Sequence, residues 1–138
     1  MRMRVLDASV VLKWFVEEEG SPKAEALLEE HVKGAARVVV PDLLVYEVAN
    51  ALRFSGGFEA REAEKIIDAL WALDLYILAP QPDVMRSALA LSFSRGISVY
   101  DSVYVALAKE LDLPLITADK KLLSRLQGLK FVFDLGRA

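Results

Sequence analysis

Four acids in this chain stand where a carboxylate can do chemistry: Asp7, Glu47, Asp101 and Asp119. Asp7 and Asp119 each follow a strand-like apolar stretch and precede a helical one. Asp101 opens a segment, Ser102 to Ala108, that is apolar almost all round and so must be buried on more than one face. Glu47 falls between Leu43 and Ala51, on the stripe that also holds Leu44 and Val48, with Asn50 on the same side three residues on. A Glu on a core-facing stripe is uncommon unless it is paired or coordinates something. Each acid also has an ordinary reading: Asp101 as an N-cap, Glu47 as half of an ion pair with Arg or Lys from a neighbouring helix. Taken as a set they carry a different chemistry. Four carboxylates on one pocket raise one another's pKa until a cation neutralises them. With no Cys and the single His31, the ligands are oxygens, which selects a hard cation, Mg²⁺ or Mn²⁺. An all-acid site of that kind suits metal-assisted hydrolysis or transfer at phosphorus. Ser9 and Thr117, each two residues from an acid, are placed to orient a carboxylate or a metal-bound water, and equally for ordinary capping and strand-end use.

The elements around these acids alternate. Strands are expected at Arg2–Asp7, Arg37–Val40, Leu75–Leu78, Leu113–Thr117 and Lys130–Phe133. Helices are expected at Val10–Val16, Lys23–Lys33, Leu43–Phe54 with Asp42 as its cap, Glu59–Leu73, Asp83–Arg95, Ser102–Glu110 and Asp119–Leu126. Alternation of this kind predicts an α/β fold: a three-layer α/β/α sandwich with a mainly parallel sheet of about five strands. Function in such sheets sits beyond the carboxyl ends of the strands, the edge to which Asp7, Asp119 and the start of the Asp101 helix all belong. Trp14, Phe15, Phe54, Trp71 and Phe93 are expected in the core, with Trp14 and Phe54 also available to line a groove for a partner helix.

A chain of 138 residues is expected to be one domain, residues 1–138, with enough surface buried for a proper core. The 54% hydrophobic and 27% charged residues describe a soluble globular protein, and no apolar run approaches a membrane span. The N-terminus runs straight into a strand rather than a signal peptide. The absence of Cys fits a reducing cytoplasm. Net charge is −3, so nucleic-acid binding has to come from a local patch or a metal. Lys13, Arg53, Arg95, Lys120 and Lys121 lie near the acids in sequence and are candidates for phosphate contacts.

Four stretches carry a family likeness: Val5-Leu-Asp7-Ala-Ser9, then Pro41 followed by Tyr46-Glu47-Val-Ala-Asn50-Ala-Leu52, then Tyr100-Asp101-Ser-Val-Tyr-Val-Ala-Leu-Ala108, then Leu115-Ile-Thr117-Ala-Asp119-Lys-Lys-Leu122. In this order and spacing they resemble the PIN-domain ribonucleases, and most nearly the small toxins of VapBC toxin–antitoxin pairs. The resemblance implies that Asp7, Glu47, Asp101 and Asp119 form an acidic Mg²⁺/Mn²⁺ site that cuts RNA. It implies Ser9, Asn50 and Thr117 as supporting polar positions, and a small antitoxin protein as partner. A homodimer is expected from the same likeness and from the apolar helices on both sides of Gly56-Gly57. Two other readings compete: a PIN-like scaffold that binds a partner without efficient catalysis, and a phosphoacceptor receiver domain. The receiver requires an acidic pair after the first strand and a Lys after the last, where this chain has Asp7 alone and Asp134.

Overall fold

A computed structural model describes residues 2–137. Five parallel strands form one sheet: β1 (Arg2–Leu6), β2 (Ala36–Pro41), β3 (Tyr76–Leu78), β4 (Leu115–Thr117) and β5 (Val132–Asp134). Their spatial order is β3-β2-β1-β4-β5. In β1 the consecutive residues Val5 and Leu6 are both fully buried, and so are Val38, Val39 and Val40 in β2. Consecutive side chains point to opposite faces, so both faces of the sheet are covered, as parallel sheets require. The fold class is the α/β sandwich expected from the alternation of elements.

Among the described residues seven α-helices connect the strands: α1 (Ala8–Val11), α2 (Ser21–Val32), α3 (Leu43–Phe54), α4 (Ala60–Ala72), α5 (Pro82–Arg95), α6 (Val99–Leu111) and α7 (Lys120–Arg125). Helix α6 is the central one: every residue from Ser102 to Ala108 is buried, and it packs on β1, β2, β4 and α5. The left-handed residues Gly96 (φ +65°) and Asp112 (φ +54°) end α5 and α6. Gly96 turns the chain sharply enough for α5 and α6 to lie against each other.

Several local expectations are corrected. The expected helix Val10–Val16 is the single turn α1 followed by a 3₁₀ turn, Leu12–Trp14. Helix α6 begins at Val99 rather than Ser102, because Ser98 is its N-cap and accepts the Asp101 N–H at 3.0 Å. Asp101 therefore sits in the first turn and its carboxylate is not consumed as a cap. Asp42 holds the N-cap position of α3 without a side-chain capping bond. Among the five aromatics expected in the core, Trp14 and Phe15 are half-buried, and Trp14 Nε1 donates to the Ala24 carbonyl at 2.8 Å. Phe54, Trp71 and Phe93 are instead 71%, 59% and 88% exposed, because each lies on the solvent face of a helix whose opposite face already fills the core.

Candidate active site

The sheet order decides where the acids meet. Chain order runs outward from β1 through β2 to β3, then returns to β4 on the other side of β1. The β1/β4 boundary is thus the topological switch point, and the crevice beyond its carboxyl ends is where α/β sheets bind ligands. Asp7 follows β1 there, and Thr117 and Asp119 end and follow β4.

Hydrogen bonds stitch these two loops together. Ser9 Oγ donates to Asp7 Oδ1 at 2.5 Å, and Thr117 Oγ1 donates to Asp7 Oδ2 at 2.5 Å. The same hydroxyl oxygens accept backbone N–H groups: Ser9 from Ala118 across the crevice at 2.9 Å, and Thr117 from Asp119 in its own loop at 3.1 Å. Each hydroxyl therefore has a donor role and an acceptor role filled, which fixes its hydrogen on the carboxylate. Asp7 is 6% exposed. Burial pushes its carboxyl up to about 6; the two hydroxyl bonds pull the other way and the Asp119 charge adds to the rise.

Glu47 projects half-buried from α3 with no cationic partner among the described residues. Its Oε1 accepts the hydroxyl of Tyr104 at 2.5 Å. The ion pair weighed from sequence is replaced by a phenol. Tyr104 is almost wholly buried and was not singled out from sequence; its signal was its place three residues after Asp101, on the same helix face. Burial raises the Glu47 carboxyl above the usual range, with the Asp101 charge adding and the Tyr104 bond opposing. The Tyr104 hydroxyl is pushed far up by burial, its bond to Glu47 and the surrounding acids, so it stays a donor. Asp101, half-buried in the first turn of α6, is raised by burial and next by the Asp119 charge. Asp119 is the N-cap of α7 and accepts the Leu122 N–H at 3.0 Å.

The four acids thus form one electrostatic chain: Asp7 feels Asp119, Asp119 acts on Asp101, and Asp101 acts on Glu47. No lysine or arginine forms an ion pair with any of them among the described residues. Nor are three His, Cys, Asp or Glu among the described residues drawn in tightly enough to cage an ion directly. A hard cation such as Mg²⁺ or Mn²⁺ needs only one or two carboxylates and keeps several waters. The donor set, all oxygen, fits them as well. Asn50 is exposed between Tyr46 and Phe54 on the outer face of α3, and among the described residues it bonds to none of the acids. Of the cations near the acids in sequence, Lys13 pairs with Glu18 at 3.1 Å and Lys120 with Asp134 at 2.9 Å. Arg95 donates to the Gln127 carbonyl at 2.7 Å, and Arg53 lies 4.6 Å over the Phe54 ring. Lys121 has no such partner among the described residues and lines a cleft with Asp101 and Asp119.

Comparison with known proteins agrees with this geometry. A family profile described as PIN domain matches residues 4–129. Ribonuclease VapC3 of Pyrobaculum aerophilum is 34% identical over 132 residues, 91% of this chain and 95% of that protein. Ribonuclease VapC1 of Mycobacterium tuberculosis is 32% identical over 86% of each chain. Among solved structures, a toxin–antitoxin complex from Klebsiella pneumoniae superposes with a TM-score of 0.71 at 18% identity, covering 96% of this chain and 97% of its counterpart. That last likeness is one of fold.

Proposed function

Because this chain belongs to the PIN-domain family, we propose that it is a divalent-metal-dependent endoribonuclease and the toxin of a VapBC-type toxin–antitoxin pair. The observation that supports the reading is the placement of the four acids at the sheet's switch point, with Asp7 held by Thr117, Glu47 held by Tyr104, and Asp101 and Asp119 lining one cleft, none of them in an ion pair among the described residues. In this reading Asp7, Glu47, Asp101 and Asp119 are the catalytic acids and hold Mg²⁺ or Mn²⁺ in a single domain, residues 1–138.

When bound, the metal supplies an acidified water and charge neutralisation at the scissile phosphate. The remaining tasks fall to the chain. The Ser9 and Thr117 hydroxyls keep Asp7 oriented, and as donors they favour its charged form against the pull of burial. Tyr104 holds Glu47 toward the other acids rather than toward solvent. Asp119, tied at one oxygen to the α7 backbone, presents its carboxylate at a fixed angle. The buried half of the site, Asp7 and Tyr104, keeps bulk water from the back of the crevice. In the same reading Asn50 is a supporting polar position on the outer face of α3.

A partner protein and a second copy of the chain also belong to the reading. Tyr46 and Phe54 stand 72% and 71% exposed on one face of α3, a surface suited to an amphipathic antitoxin segment. Leu89 and Phe93, four residues apart on α5, form another exposed apolar face, suited to a homodimer contact. No described helix is long and apolar enough to cross a membrane; the cytoplasm, where RNA and a reducing milieu are found, is the compartment assigned here.

The test is a circular single-stranded RNA, which offers no ends. The protein should linearise it with Mn²⁺ or Mg²⁺ and stop in excess EDTA, and Asp101→Asn should lower the rate by at least about a hundredfold. Cleavage that persists in chelator refutes the metal role. Failure to open the circle while linear RNA is shortened refutes the endonuclease.

A further inference from the structure

Beside the acids lies a cleft of about 260 Å³ between the α5–α6 turn and α7. Asp101 and Asp119 line it together with Lys121 and Arg125. Lys121 and Arg125 are four residues apart on α7 and so share a face of that helix. Both are exposed, and among the described residues neither lies within ion-pair distance of any carboxylate. This sets them apart from Lys13 and Lys120, near the β5 side of the site, whose charges are matched by Glu18 and Asp134. The Arg125 guanidinium lies against Gly96: a Cβ built there would stand 3.4 Å from Nη1. Gly96 also has φ +65°, so its bare backbone both makes the turn and leaves room for the guanidinium at the cleft wall. The cleft is smaller than the roughly 300–1,000 Å³ of sites that take drug-sized ligands, and suits a phosphodiester segment rather than a stacked base.

We propose that Lys121 and Arg125 form a subsite for one RNA backbone phosphate, the one adjoining the phosphate cut at the acids. This rests on the nuclease reading above. The acids repel an incoming strand, and in a chain of net charge −3 nothing global draws RNA in. Two uncompensated cations lining the same cleft supply local attraction and set the direction in which the strand leaves the acids. Contacts to phosphate position a strand without reading its sequence. The subsite therefore governs KM and register, and leaves base preference to other surfaces.

The test uses the full chain, Lys121→Ala, Arg125→Ala and the double variant, with a labelled single-stranded RNA oligonucleotide. Cleavage kinetics are measured with Mn²⁺. Binding is measured by anisotropy against salt, on the same oligonucleotide with Asp101→Asn added to every protein so that the RNA stays uncut. Each substitution should raise KM about tenfold with kcat changed less than about twofold, since surface cations on α7 leave the acids untouched. The double variant should flatten the salt slope of log K by about 0.7, the value for one single-strand phosphate contact. An RNA with a neutral methylphosphonate at the adjoining linkage should lose its advantage with wild type and show no further loss with the double variant. Arg125→Lys should recover most of the slope. If wild type cuts RNA but the variants keep its KM and salt slope, the subsite is refuted and the nuclease reading stands. If wild type neither cuts nor binds RNA, both are refuted. Circular dichroism and melting of the variants exclude loss of fold as the cause.

Discussion

Asp7 has the two environments that matter most at the scale of a residue: a buried position that disfavours its charge and two hydroxyl donors that favour it. Burial wins, and its pKa of about 6 stands above the 3.8 of a free Asp side chain. A raised folded pKa means that the native state holds the proton longer than the unfolded chain. The associated stability is therefore fully present below about pH 3.8 and is lost as pH rises through about 6. At about 1.4 kcal/mol per unit, the loss is on the order of 3 kcal/mol. Metal-free protein should melt lower at pH 7 than at pH 5, from this group, and Asp7→Asn should remove that slope while abolishing cleavage. Differential scanning calorimetry at both pH values in EDTA checks it; a variant that keeps the wild-type difference between pH 5 and pH 7 contradicts the assignment. Tyr104→Phe probes the neighbouring bond. Without the phenol donor, the Glu47 carboxyl should rise further, moving the acid limb of the rate–pH profile to higher pH. The stability change should be about 1 kcal/mol, so a shifted profile in a folded variant assigns Tyr104 to positioning Glu47.

Among the elements, α6 carries the most consequence. Its buried run from Ser102 to Ala108 fixes it against three strands, and Ser98 fixes where it begins. Ser98→Ala removes the side-chain cap of the Asp101 N–H, so stability should fall by about 1 kcal/mol. Ser98→Thr should retain most of it. Chemical denaturation of the two variants distinguishes a cap from mere side-chain size. His31 plays a comparable part far from the acids. Its Nδ1 accepts the Val38 N–H at 3.1 Å, so Nε2 carries the proton donated to the Leu73 carbonyl at 2.7 Å. One neutral imidazole joins α2, β2 and the end of α4. His31→Ala orphans two backbone groups and should cost about 3 kcal/mol with cleavage chemistry otherwise unaltered.

For the whole molecule, the acids make the apo protein the less stable form. A cation that binds only the folded state stabilises it by mass action, about 2.7 kcal/mol at a hundred times its dissociation constant. Mn²⁺ should therefore raise the melting temperature of wild type by several degrees, and that of Asp101→Asn much less. A wild-type melt indifferent to Mn²⁺ contradicts the metal site directly, without reference to activity. Exposed Leu89 and Phe93 bear on assembly. Light scattering at micromolar concentration should give twice the 15.3 kDa chain mass, and Phe93→Glu should return it to one.

What the sequence determined by itself was local. The alternation of β-branched runs with helical stripes specified five strands, and Asp119 was legible as a helix cap because capping depends on residues three apart. The family was legible in four short stretches for the same reason. One local cap went unread: Ser98, three residues before Asp101, accepts the Asp101 N–H and starts α6. Other features were decided by tertiary structure. Burial of Phe54, Trp71 and Phe93 could not be read from residue type, since apolar character says that a side chain gains from burial and not that a neighbour is present to bury it. The Tyr104–Glu47 bond joins helices that chain order leaves far apart. Above all, Asp7 meets Thr117 and Asp119 because β4 inserts beside β1 rather than beside β3. Sheet order is set by which faces bury together, a long-range sum over the whole core, and no local pattern in the chain encodes it.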